Sequence, residues 1–268
     1  MILRPLHPAA PSSEIVPAWN AVASTQQQDS SAWWLIAQPD HAALAGNLAA
    51  RFRPADFPLL DSNAVRAITL HDSGWAALDG GGEAGGGTGE SPQLLRGHSG
   101  RPLSFLDAPV RVFMPAWTDS IRCAEESAGA IGGLMVSGHF RRLAQHRVNA
   151  VQDTPENAAR LHEFLKAEGR EDERRLARQG RSQKEVGSLV DLLQFCDLLS
   201  LYLCCGSRAS VQFPQLLGTR PTVLRRDGER CVLEPSPFHE QVSLGVPARR
   251  DPVSRDEPNS CVVPVLIR

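Results

Sequence analysis

The stretch VGSLVDLLQFCDLLSLYLCC (Val186–Cys205) is apolar almost all the way round a helical wheel. Such a helix is buried on nearly every side, so we expect it to lie at the centre of the core. Asp197 lies within it, one turn after Leu193 and one turn before Leu201. Burying a carboxylate without a partner costs several kcal/mol, so something must satisfy it. Asp197 is therefore either held by an arginine or a neighbouring helix terminus, or is a ligand of a metal ion.

Histidine and aspartate recur on the apolar sides of other predicted helices. These residues are His41, one turn before Leu44; the adjacent pair His71 and Asp72 in AVRAITLHDSGWAALD (Ala64–Asp79); and His139, four residues after Met135 and four before Leu143. Imidazole nitrogen and carboxylate oxygen together suit a divalent cation such as zinc, iron or manganese. Each residue alone is equally compatible with a hydrogen-bonded core position or a helix cap.

Composition excludes several classes of protein. The chain has 268 residues, 42% of them hydrophobic and 22% charged, and a formal net charge of -2, so it can bury a sizeable core and has no bias toward nucleic acid or an anionic membrane. Six cysteines without paired metal-finger spacing, and no recognisable secretory segment, predict reduced thiols and a cytoplasmic protein. No apolar run approaches the length of about 20 residues needed to cross a bilayer.

The periodicity predicts a mainly α protein of one domain over residues 1–268. A helical core covers about 40–206, and short apolar runs punctuated by proline and glycine form a β-rich segment at about 207–268. A small antiparallel sheet is expected from the N- and C-terminal segments, with HPAAPSSEIVPAWNAVASTQQQDSS (residues 7–31) as a loop. The glycine-rich stretch at about 79–100 is expected to be a flexible insertion.

The order of these side chains resembles a known superfamily. A histidine, a His-Asp pair, a later histidine and an aspartate in an apolar penultimate helix resemble the HD superfamily of metal-dependent phosphohydrolases. The segments AQPDHAALAGNLA, AITLHDSGWAALD, SGRPLSF and FCDLLSLYLCC are also similar to those of an uncharacterised bacterial family, domain of unknown function 3891, over about Trp34 to Ile267. The HD resemblance implies an HD-like helical bundle.

The resemblance also implies a site. Its metal ligands would be His41, His71, Asp72 and Asp197, with His139 available for a second metal or for substrate. Asp72 would be the catalytic residue, bridging metals or orienting a water. The cofactor would be a divalent metal: iron, manganese, zinc or magnesium.

The function implied is hydrolysis of a phosphate ester or phosphoanhydride in a small phosphorylated molecule. The basic residues best placed by sequence to bind such an anion are Arg101, in SGRPLSF, and Arg141 and Arg142, beside His139. No lysine follows the His-Asp pair closely, where many HD enzymes have a basic group, and Trp75 stands one turn on instead. Two alternatives stay open: a non-catalytic binding or regulatory module on the same scaffold, and a metal-free polar network in the core.

Overall fold

The computed structural model describes residues 1–10, 12–79, 96–97, 100–150, 153–217 and 220–268. The glycine-rich stretch expected to be a flexible insertion lies mostly outside these described residues. The helices are α1 (Ala18–Gln27), α2 (Gln38–Ala49), α3 (Ser62–Leu70), α4 (Ala76–Asp79), α5 (Val110–Asn149), α6 (Pro155–Ala177) and α7 (Gln183–Cys205). The strands are β1 (Ile2–Pro5), β2 (Ser12–Pro17), β3 (Trp33–Ile36), β4 (Ala209–Leu217), β5 (Arg220–Asp227), β6 (Arg230–Glu234), β7 (Val242–Asp251) and β8 (Ser260–Ile267).

All eight strands join one sheet in the order β1-β3-β7-β8-β6-β5-β4-β2. The pairs β2–β4 and β6–β8 are parallel and the other neighbours are antiparallel. The sheet curls into a half-barrel holding 23% of the residues, beside about 52% in helices. The expectation of a mainly α, HD-like helical bundle with a small antiparallel sheet is therefore wrong.

The fold prediction was wrong because one strand of the sheet forms only through a long-range pairing. The segment expected to be a loop contains β2, whose Val16 pairs in parallel with Val211 of β4. That pairing joins residues nearly two hundred positions apart, and no local period reveals it. It links the N-terminal and C-terminal strands into one curved layer instead of leaving a small appendage.

Helix α7 lies at the centre of the molecule, as its composition predicts. It packs against α1, α2, α3 and α5 and against strands β1 and β4. A capping box starts it, in which the Ser182 hydroxyl accepts from the Glu185 backbone N–H and the Glu185 carboxylate accepts from the Ser182 backbone N–H. Gly206 ends it in the left-handed conformation, at φ 71°, which a residue without Cβ adopts at little cost.

The expectation that no apolar run is long enough to cross a bilayer is wrong for α7. Within the described residues, this helix alone has the length and apolar composition that a membrane span would need, and 72% of its most apolar window is buried inside the protein. Packing in the core accounts for that composition. Cytoplasmic localisation stays a prediction.

Helix α5 bends where the chain leaves helical geometry. Gly129 has φ 69° and ψ −165°, a backbone conformation that only glycine adopts readily. The bend therefore lies at Gly129, about one turn before the glycine pair Gly132 and Gly133. The half of α5 after the bend packs beside α7, which brings His139 toward Asp197.

Candidate metal centre

Four helices bring the predicted ligands into one buried cluster. His41 lies in the first turn of α2, His71 and Asp72 directly follow α3, His139 lies on α5 and Asp197 on α7. His41 and His71 are fully buried, and His139 is 2% exposed. The side chains of Asp72 and Asp197 are 12% and 14% exposed. The two carboxylates are thus the part of the cluster nearest solvent.

The turn that carries Asp72 is held by close packing against α5. Asp61 caps α3 by accepting from Ala64 N–H at 2.9 Å, and after Asp72 the chain forms a 3₁₀ turn over Ser73–Trp75. The backbone N–H of Gly74 donates to Ser120 Oγ at 2.9 Å. A Cβ at Gly74 would collide with the carbonyl oxygen of Ala116, so glycine permits the close approach that positions Asp72.

The hydrogen bonds of His71 determine which ring nitrogen has a free lone pair. Nδ1 lies 2.8 Å from the carbonyl oxygen of Ile68, which can only accept, so Nδ1 carries a proton. Nε2 lies 3.3 Å from Asp197 Oδ1 and 3.8 Å from Asp72 Oδ2. In a neutral imidazole this nitrogen is an acceptor that faces two further acceptors.

His41 has the same arrangement, through a serine that sequence reasoning missed. Ser200 Oγ donates to the carbonyl oxygen of Asp197 at 2.8 Å, so it accepts from His41 Nδ1 at 2.9 Å. His41 Nε2 is then left 2.9 Å from Asp72 Oδ2. The available signal was spacing, because Ser200 follows Asp197 by three residues on a helix that is otherwise almost entirely apolar.

A proton or a metal ion between His71 Nε2 and the facing carboxylates would turn this repulsion into an attraction, and a metal ion could lie between His41 Nε2 and Asp72 Oδ2 in the same way. Two groups of side chains, His41–His71–Asp72 and His71–His139–Asp197, each offer ligand atoms within 4.8 Å of one another. The cluster could therefore hold a metal ion. His139 completes the second group, with Nε2 3.9 Å from Asp197 Oδ2.

Burial and the neighbouring carboxylates shift the pKa values of His71 and His139 in opposite directions. Burial alone would lower the pKa of His71, but the carboxylates of Asp72 and Asp197 outweigh burial and raise it to about 9. Burial lowers the pKa of His139 to about 4. Burial would raise the pKa of Asp197, but the hydrogen bond and charge of His71 lower it to about 2. At neutral pH and without metal, His71 is therefore an imidazolium and His139 is neutral.

The three arginines expected to bind substrate lie in other contacts. Arg101 donates to the carbonyl oxygen of Gln26 and its guanidinium lies over the Trp33 ring at 5.3 Å. Arg141 pairs with Asp172 at 2.9 Å. Arg142 pairs with Asp191 at 2.5 Å and donates to Gln194 at 2.8 Å. None of the contacts found in the described ranges joins an arginine to the cluster, and their role in substrate binding stays a prediction.

Comparison with known proteins assigns a family without an activity. The family described as "Protein of unknown function (DUF3891)" matches residues 25–250. No curated protein and no solved structure matches the chain. The resemblance to the HD ligand pattern stays a prediction, since the family match says nothing about it. The match covers well over half of the sequence, and the chain belongs to the DUF3891 family.

Proposed function

We propose that the chain binds a divalent metal ion through His41, His71, Asp72 and Asp197, with His139 as a further ligand or a substrate contact. One observation carries this proposal: the Nε2 atoms of His41 and His71 each face a carboxylate oxygen, at 2.9 and 3.3 Å, while both Nδ1 atoms are held as donors. Metal-binding histidines in proteins commonly donate their second nitrogen in this way, which orients the lone pair.

The five candidate ligands suit a divalent cation of intermediate hardness. Two or three imidazoles with two carboxylates suit zinc, iron or manganese better than magnesium, which prefers oxygen ligands. When bound, such an ion supplies Lewis-acid stabilisation of a phosphoryl oxygen and lowers the pKa of a coordinated water.

On this scaffold we infer a phosphohydrolase acting on a phosphate ester or phosphoanhydride of a small molecule. Asp72 Oδ2 contacts His41, which leaves Oδ1 to accept a proton from an attacking water. The part-exposed carboxylates set the side from which substrate approaches. Ser200 and Ile68 accept hydrogen bonds from the two Nδ1 atoms, so both Nε2 atoms are directed at the carboxylates before a ligand arrives.

A second candidate is a non-catalytic binding or regulatory module that uses the same metal. The engagement of Arg101, Arg141 and Arg142 in other contacts favours it, because phosphate recognition commonly relies on such side chains.

The experiment has two stages. Protein purified without chelator is analysed for metals and, after removal of metal, titrated with zinc and with manganese; Asp197→Asn should bind far more weakly than wild type. Asp191→Asn is the matched control, since Asp191 lies on the same helix but is 60% exposed. A panel of phosphatase and nucleotidase substrates then separates enzyme from binding module. Metal below about a tenth of an equivalent, with no rebinding, would refute the metal site.

A further inference from the structure

An open cavity of about 610 Å³ lies apart from the metal cluster, between the α2–α3 connection, helix α7 and strand β4. None of the five candidate ligands lines it. Most of the side chains that line it are apolar, among them Phe57, Leu60, Leu192, Leu216 and Leu217. Cavities of a few hundred cubic ångströms with mainly apolar walls are typical of small-molecule sites.

The apolar walls of this cavity are accessible to a ligand. Phe57, Leu192 and Leu217 are half-buried, and Leu216 is 56% exposed. A ligand that covers this surface gains binding free energy, because apolar area is removed from water. The ring of Phe57 packs on Phe52 with 5.0 Å between centroids, so this wall is anchored to the core.

The other walls of the cavity are held by contacts within the protein. Arg181 donates to the carbonyl oxygen of Leu59 at 2.8 Å, which ties the α2–α3 connection to the residues just before α7. In β4, the pairing with β5 is interrupted between Phe213 and Leu216, and Pro214 from this interruption lines the cavity. Such irregularities redirect side chains and recur beside functional sites. A cavity formed in advance binds a ligand with little loss of free energy to ordering.

The charges at the cavity are of one sign. Among the described residues that line it, the charged ones are Asp56 and Asp191, whose side chains are 47% and 60% exposed. Arg53 contacts Asp56 Oδ2 at 2.6 Å, and Arg142 contacts Asp191 Oδ1 at 2.5 Å. Exposed ion pairs of this kind contribute little free energy, so a cation in the cavity can share either carboxylate at small cost. An anion there would be repelled.

We propose that this cavity binds a small organic cation. Its aromatic ring or branched chain lies against Phe57, Leu192 and Leu217, and its ammonium group pairs with the Asp56 or Asp191 carboxylate. The apolar contact supplies most of the affinity, while the two carboxylates select the charge of the ligand. The site is separate from the metal cluster and does not depend on it.

The test uses three indole probes that differ in the charge of the group at the end of the side chain: tryptamine, a cation; tryptophol, which is neutral; and indole-3-acetate, an anion. They are titrated into the full chain labelled with ¹³C at leucine methyl groups and followed by NMR. Tryptamine should bind with a Kd of about 1 mM or tighter, the range that ordinary ligands of about twelve heavy atoms reach. Tryptophol should bind about twofold to fivefold more weakly, and indole-3-acetate more weakly again.

Variants of the carboxylates test the selection of charge. Asp56→Asn and Asp191→Asn together should bring tryptamine to the affinity of tryptophol and leave tryptophol binding unchanged. Asp119→Asn is the matched control, because Asp119 is 55% exposed, pairs with an exposed arginine at 3.4 Å and does not line the cavity. It should bind all three probes as wild type does.

A variant that fills the cavity tests the location. Ser188 is exposed and lines the cavity, so Ser188→Phe should weaken all three probes by at least about tenfold. Gln183→Phe, at an exposed position of the same helix that does not line this cavity, should not. If Ser188→Phe does not fold, the carboxylate variants decide.

Equal affinity for tryptamine and indole-3-acetate, or tryptamine binding that Ser188→Phe leaves intact, would overturn the proposal. Sedimentation of the wild type covers the other occupant: a dimer that Leu216→Asp dissociates would assign the cavity to a second copy of this chain and would also overturn it. Zinc enters none of these measurements, so failure of the metal site would leave this inference standing, and its own failure would leave the metal site untouched.

Discussion

Metal binding is expected to displace a proton from His71, and the structure sets the size of the effect. The pKa of His71 in the metal-free protein is raised to about 9 because the Asp72 and Asp197 carboxylates outweigh burial. At pH 7, two units lower, about 99% of molecules carry this proton. A metal needs the Nε2 lone pair, so binding should release about one proton from His71. His139 should release none, because its pKa of about 4 leaves it neutral.

The apparent association constant for zinc should consequently rise about tenfold per pH unit below pH 9, or about thirtyfold between pH 6.5 and 8. Calorimetry in two buffers of different ionisation enthalpy gives the number of protons released, and competition with a chromophoric chelator gives the affinity at each pH. His146→Gln provides a control, since His146 is an exposed residue of α5 and its loss should change neither quantity. Tight zinc binding with no proton release and a flat pH profile would refute the assignment of His71 as a protonated residue that becomes a ligand.

Three further outcomes are expected. Asp72→Ala and Asp197→Ala should each remove most metal binding, and the double variant little more, because both act through one ion; additive losses in calorimetric titration would count against a shared ion. Gly74→Ala should lower the free energy of unfolding by about 1–3 kcal/mol in urea melts, because the added Cβ would collide with α5. Gly187→Ala on α7 is the control, since there is open space around the added atom. That substitution should raise the free energy of unfolding by up to about 1 kcal/mol. Burial lowers the folded-state pKa of His139 to about 4. In the metal-free protein, the stability contributed by neutral His139 should therefore be complete above pH 6.5 and should be lost as the pH falls toward 4. Urea melts at pH 7 and pH 5 should show a fall in the free energy of unfolding in wild type and a smaller fall in His139→Gln.

Much of the candidate site could be predicted from sequence because its members lie on strongly periodic helices. Asp197, placed between Leu193 and Leu201, had to face the core, and a buried carboxylate needs partners. The same reasoning placed His41, His71 and Asp72 on apolar faces. The start of helix α6 is also encoded locally, with the Thr154 hydroxyl accepting from the backbone N–H of Asn157 at 3.3 Å and Pro155 as the first helical residue. Caps and helical faces are encoded within a few residues, so a local window contains the information.

The tertiary structure alone decided the sheet and the environment of each polar group. β2 lies in a stretch rich in proline and serine, and it becomes a strand by pairing with β4, far along the chain. Arg142 follows His139 by only three residues, yet it pairs with Asp191. Ser200 orients His41 across 159 positions of sequence. Strand order and hydrogen-bond partners are set by contacts between segments distant in sequence, whose free energy depends on burial and geometry that exist only once the chain has folded.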